Sequence, residues 1–140
     1  MNDNGKQIVD IAAFVLPRYR FEWSDNVQRV YKWLEWHWDH GFIQRAFNDA
    51  GDLVGVLVAR PVMEADEGRI HYLFDPEGPV IFVDVLVCDH PYAIRALWSG
   101  LLKRFGRRRT IAWSRDGSPI RSHDTERMDR RLKSEEIYGR

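Results

Sequence analysis

Among the residues able to do chemistry, Asp84 has the most unusual setting. It sits in the middle of Val80-Ile81-Phe82-Val83-Asp84-Val85-Leu86-Val87, the most apolar run of the chain. Burying a carboxylate is costly unless it is hydrogen-bonded or paired. A carboxyl raised by burial suits a general base; the structural alternative is an aspartate held by backbone N–H groups or a nearby arginine. His37 and His40, three residues apart, share one face of a helix and could assist catalysis or bind a metal. No His-Glu-x-x-His pattern accompanies them and Cys88 is the single thiol, so no metal site is expected. Cys88 and His90 point to the same side of a strand end, where an imidazolium would favour a thiolate nucleophile. The ordinary reading of such a cysteine is packing. Tyr138 is a candidate proton donor or part of a frayed tail.

These residues need elements to hold them. Apolar positions Val27, Val30, Tyr31, Leu34 and Trp38 recur at helical spacing. They predict a helix over 25–40, with Ser24 as N-cap and Gly41 as a left-handed C-terminal cap. On that helix Trp33, Trp36, His37 and His40 are expected largely off the core stripe. Residues 43–48 and 53–60 read as a hairpin turned at 49–52, the second strand buried on both faces and closed by Pro61. Gly55 within it marks a bulge or a close backbone approach. Further strands are predicted at 69–74 and, as the strongest, 80–87. A helix over 92–105 capped by Gly106 leads to a strand at 109–114 and a short extended piece at 120–122. A weakly apolar helix over 124–136 is capped by Asp124, with Met128 and Leu132 to bury. The strand–helix–strand passage from 80 to 114 implies a parallel pair inside an otherwise antiparallel meander, hence a mixed α/β sheet.

Composition narrows the classes. The chain has 140 residues, 44% of them hydrophobic and 13% aromatic, enough for one domain with a real core. We expect a single domain over 1–140, with a core at about 18–123 and a basic segment at 124–140. The formal net charge is zero, which disfavours a uniformly basic nucleic-acid binder. The zero hides a split: residues 1–102 carry nine basic and fifteen acidic side chains, residues 103–140 twelve basic and six acidic. One cysteine provides no disulfide framework and suits a reducing compartment. The apolar run at 8–16, broken by Asp10 and ended by Pro17, is too short for a secretory signal or a membrane span. A cytoplasmic location is expected.

The order of elements, with the junction VIFVDVLVCDHP between the strongest strand and its helix, resembles the GNAT (N-acetyltransferase) superfamily. That resemblance implies an α/β (α+β) fold: a mixed, mostly antiparallel sheet with a central splayed strand and helices on both faces. It also implies an acyl-CoA cofactor with its pyrophosphate at the strand–helix junction. There His90, Tyr92 and Arg95 would be the cofactor-binding residues. The junction reads Cys88-Asp89-His90-Pro91-Tyr92-Ala93-Ile94-Arg95. It has no glycine to admit phosphates to backbone N–H groups, and Asp89 stands where a phosphate would be repelled. Standard acetyl-CoA binding is therefore not expected. The layout of the second half is similar to that of toxin-activating lysine acyltransferases, which take an acyl chain from acyl carrier protein. That likeness implies Asp84 acting with His37 or His40 on an amine or lysine acceptor.

Two readings follow. One is an acyltransferase-related protein using an acyl-CoA or acyl carrier protein thioester. The other is a catalytically inactive GNAT-like module that binds a protein, a second copy of the chain included. Its contact surfaces would be the Trp33, Trp36 and His37 helix face and the Arg107, Arg108 and Arg109 segment. Degenerate GNAT-like proteins of this size in tailed phages imply the virion as the alternative location. A nucleic-acid partner is not expected from the sequence, because Trp113 by itself is thin support for base stacking.

Overall fold

The computed structural model describes residues 3–65, 74–106, 108, 110–113 and 120–138. Apolar side chains at positions 8, 11, 12 and 15 form one helical stripe, and they build a helix the sequence reading did not anticipate. This is α1 (Asp3–Val15). Ile11 and Val15 have no exposed surface, while Val9 on the outer side is 48% exposed. The helix α2 (Val27–Asp39) starts later than expected: Asn26, not Ser24, is its N-cap, its side chain accepting from the Arg29 N–H at 3.2 Å. Ser24 instead accepts from the Phe21 N–H at 2.7 Å, closing the turn before the helix. At the other end Gly41 adopts φ 74°. Its N–H donates to Trp38 and that of Phe42 to His37, the paired bonds of a left-handed C-terminal cap.

Strands β1 (Ile43–Phe47) and β2 (Leu53–Val62) form the expected antiparallel hairpin, irregular between Ala46 and Phe47. A Cβ on Gly55 would lie 3.0 Å from Leu97 and 3.3 Å from Ala93. The missing side chain thus serves a close approach of the helix that follows β3. β2 does not stop at Pro61. It runs on to Val62, and the Pro61 carbonyl accepts from Asp75 at 2.9 Å. The strand expected at 69–74 falls outside the described residues, except for Phe74, which lies in a loop. β3 (Val80–Cys88), α3 (Pro91–Phe105) and β4 (Thr110–Trp113) follow, and β3 pairs with β4 in parallel from Val80↔Thr110 to Val83↔Trp113. β5 (Arg121–Asp124) then pairs antiparallel with β4.

The last helix, α4 (Thr125–Tyr138), is capped as predicted, Asp124 accepting from the N–H groups of Glu126 and Arg127. Its buried residues differ from expectation. Thr125 and Asp129 are buried, whereas Met128 and Leu132 are half-exposed. The Trp98 indole donates to Asp129 at 3.1 Å and the Thr125 hydroxyl to the Arg108 carbonyl. Polar groups with partners, rather than apolar area, seat this helix.

The five strands form one mixed, mostly antiparallel sheet in the order β1-β2-β3-β4-β5, with β3 central. Two compact units divide the chain: Met1–Val58 with Val85–Leu97, and Ala59–Asp84 with Trp98–Arg140. In the first, α1 and α2 pack with Val56, Val58, Val85 and Val87. The second includes a smaller cluster of Val62, Val80, Phe82 and Ala112. Each wholly buried aliphatic side chain contributes about 1.5–3 kcal/mol against exposure. No helix among the described residues is long and apolar enough to cross a membrane.

Candidate functional site

The nearby arginine of the structural alternative for Asp84 is Arg60, a residue the sequence reading did not single out. Arg60, near the end of β2, has no exposed surface and faces Asp84 on β3. Its Nε donates to one carboxylate oxygen at 3.0 Å and a terminal nitrogen to the other at 3.2 Å. The side chains are 0% and 9% exposed, and the guanidinium also lies 5.7 Å from the Phe82 ring centroid. Two planar groups joined at two points form the strongest arrangement available to an arginine and a carboxylate. The signal was present, since an arginine in a strand predicted to be buried on both faces must find an anion. Burial pushes the Asp84 carboxyl up to about 6, against the opposing charge and hydrogen bonds of Arg60. The carboxylate is engaged and enclosed, and a general base needs direct or one-water reach to its substrate.

His37 corrects an expectation. It is wholly buried, in line with Val30 and Leu34 on the core side of α2, rather than off the stripe. Its Nδ1 donates to the Trp33 carbonyl at 2.7 Å, and Nδ1 of His40 donates to the Trp36 carbonyl at 2.7 Å. A carbonyl only accepts, so both rings carry the proton on Nδ1. Trp33, Trp36 and Trp38 are half-buried. Trp33 lies 4.0 Å from His37 and 5.1 Å from Phe21, which stacks on Trp23 at 4.4 Å. Trp36 lies 4.3 Å from His40. Trp33 and Trp36 therefore sit in a band of touching rings with His37 and His40, and Arg45 covers Trp38 at 4.9 Å. His37 and His40 belong to the first unit and Asp84 to the second.

The β3–α3 junction also belongs to the first unit. Asp89 accepts from two nitrogens of Arg18 at 2.8 and 2.9 Å, and the third nitrogen of Arg18 donates to the Phe14 carbonyl at 2.8 Å. The Arg18 hydrogen bond holds Asp89 below the ordinary carboxylate range. A coenzyme pyrophosphate fits this junction poorly. A carboxylate stays ionised at its mouth, no glycine opens the turn, and the adjacent guanidinium is already committed. His90 and Tyr92 stack at 5.2 Å, both exposed, and Arg95 is half-buried on α3. Burial, with the charge of Asp89 second, pushes the Cys88 thiol up, the reverse of nucleophile activation. The environment of the Tyr138 side chain lies outside the described residues, as do Arg107 and Arg109.

Arg108 is part of the fold. Its guanidinium donates to the carbonyls of Phe105, Gly78 and Pro76 at 2.8, 2.7 and 2.8 Å. It ties the end of α3 to the turn before β3, where a Cβ on Gly78 would lie 2.3 Å from the Val62 carbonyl oxygen. No protein-family model matches the chain, and neither does any curated protein or solved structure.

Proposed function

We propose that the chain is a protein-binding module with a GNAT-like layout and no acyl-transfer activity. The observation that carries this reading is the enclosure of Asp84, both of whose oxygens are bonded to the wholly buried Arg60. Both candidate histidines are also tied to their own helix, and the β3–α3 junction lacks a phosphate cradle. Leu86 and Tyr92 leave 45% and 41% of their surface exposed beside that junction. Together with the half-buried tryptophans of α2, they are apolar and aromatic groups of the kind that anchor protein interfaces.

A second reading, acyl transfer to an amine or lysine from an acyl-CoA or acyl carrier protein thioester, has one observation in its favour. A carboxyl near 6 exchanges its proton close to neutrality. One experiment separates the two. Asp84→Asn keeps the shape but leaves the wholly buried Arg60 without its anion, so its melting temperature is measured alongside to confirm that the variant assayed is folded. Thiol release from acetyl-CoA and from an acyl carrier protein thioester is measured with a lysine-rich acceptor for parent and variant. The binding module gives no release above the uncatalysed rate from either, and acetyl-CoA does not raise the melting temperature. Release by the parent that Asp84→Asn abolishes would establish the enzyme instead.

A further inference from the structure

The second unit carries a surface that neither reading above uses. β4 and β5 pair with Trp113 opposite Arg121 and Ile111 opposite His123, so these four side chains share one face of the sheet. Ile111 is buried, but Trp113 and His123 are half-exposed and Arg121 is exposed. The two rings stack with centroids 4.7 Å apart and planes 13° from parallel. α4 begins at the residue after β5. It is seated through Thr125 and Asp129, which puts Arg127 and Arg130 on its opposite side, and both are exposed. Arg121, Arg127 and Arg130 form no ion pair among the described residues. On the same elements Asp124 has its carboxylate turned to the N-terminus of α4 and Asp129 is buried under the Trp98 indole, while Glu126, exposed in the first turn of α4, is the one carboxylate there left facing solvent among the residues whose side chains are described.

We infer that this surface, Trp113 and His123 with Arg121 beside them in register and Arg127 and Arg130 exposed on the helix that follows directly, binds single-stranded nucleic acid without sequence preference. Arginines alone would fit any polyanion. The stacked pair decides between occupants, because flat rings beside cations suit bases strung along phosphates, whereas the carboxylates of an acidic peptide engage the cations alone. The sequence by itself offered Trp113 only. The cross-strand register adds His123 and Arg121, and the seating of α4 adds two outward cations.

Fluorescence anisotropy of a labelled oligothymidine of about 20 nucleotides tests this with the full chain. Three phosphate contacts on a single strand give a slope of about −2 in log affinity against log salt. That is a loss of roughly twentyfold between about 50 and 200 mM. Arg121→Ala, Arg127→Ala and Arg130→Ala together remove most of that dependence, with an unchanged melting temperature because all three side chains are exposed. His123→Ala weakens binding about fivefold or more while leaving the salt slope unchanged, the separate signature of stacking. Failure to bind the oligonucleotide at the lower salt overturns the inference. So does equal competition by polyglutamate at matched charge, which would assign the surface to an acidic protein partner. Retention of parental affinity by His123→Ala would also overturn it.

Discussion

The pairs Arg60–Asp84 and Arg18–Asp89 have almost the same geometry in opposite surroundings. Both are two-point contacts, at 3.0 and 3.2 Å in the first and 2.8 and 2.9 Å in the second. Their side chains are 0% and 9% exposed in the first pair and 35% and 38% in the second. Hydrogen bonding from the arginine lowers the Asp89 carboxyl, whereas at Asp84 burial outweighs the same partner type and raises it. Distance alone therefore does not give the energetic sign of an ion pair; the water it has lost does. The shorter pair contributes little, because solvent screens it and both side chains are held at an entropic cost.

The largest expected effect comes from removing one member of the buried pair. Arg60→Ala empties a wholly buried site and strips Asp84 of its cation, and the urea midpoint at neutral pH falls by the equivalent of about 3–5 kcal/mol. A midpoint within experimental error of the parent would break the comparison. Next is pH. With its folded pKa at about 6, above the unfolded value of 3.8, Asp84 contributes stability that is complete below about pH 4 and is lost as pH rises through 6. The linked loss is about 3 kcal/mol for a shift of about two units. Asp84→Asn removes this titration, so in urea the variant's midpoint stays flat between about pH 4 and 6, where the parent's falls. Asp89 has the opposite sign: its contribution is present above the ordinary carboxylate range and is lost as pH falls through its lowered value.

Replacing the buried pair whole is milder. Arg60→Met with Asp84→Val removes both charges together and keeps the midpoint at the parental value or raises it by about 1–4 kcal/mol. A double variant less stable than Arg60→Ala would show that the pair provides more than mutual neutralisation. The smallest effect is expected at the surface, where Arg18→Ala leaves the urea midpoint unchanged at low and high salt. A clear drop confined to low salt would move the exposed pair toward the buried one.

The legible parts of the molecule were those where a local pattern sufficed. The period-3.6 stripe of α2, the turn at residues 49–52, the apolar run of β3 and the Asp124 cap all appear where spacing or capping chemistry puts them. So does the left-handed Gly41. α1 had the same kind of signal in Ile8, Ile11, Ala12 and Val15, but a run weighed only as a targeting segment did not yield a helix. Ser24 and Asn26 are both good N-caps two residues apart, and propensity does not choose between them. The position of Phe21 does, by giving its N–H to Ser24.

Asp84 was singled out from the sequence because a carboxylate among seven apolar neighbours violates strand propensity. What it does there was not readable, because its partner lies twenty-four positions away on another strand. Which nitrogen meets which oxygen depends on strand pairing, a long-range property that no local spacing encodes. The same holds for Arg108, which sequence composition groups with a basic run and tertiary packing spends on three carbonyls. It holds too for His123, which becomes a ring partner of Trp113 only through the β4–β5 register. The amino-acid sequence by itself determined the elements and the residues out of place in them. Tertiary structure decided which of those residues are satisfied, since charges and rings are stabilised by neighbours in space and the chain brings those neighbours from far along its length.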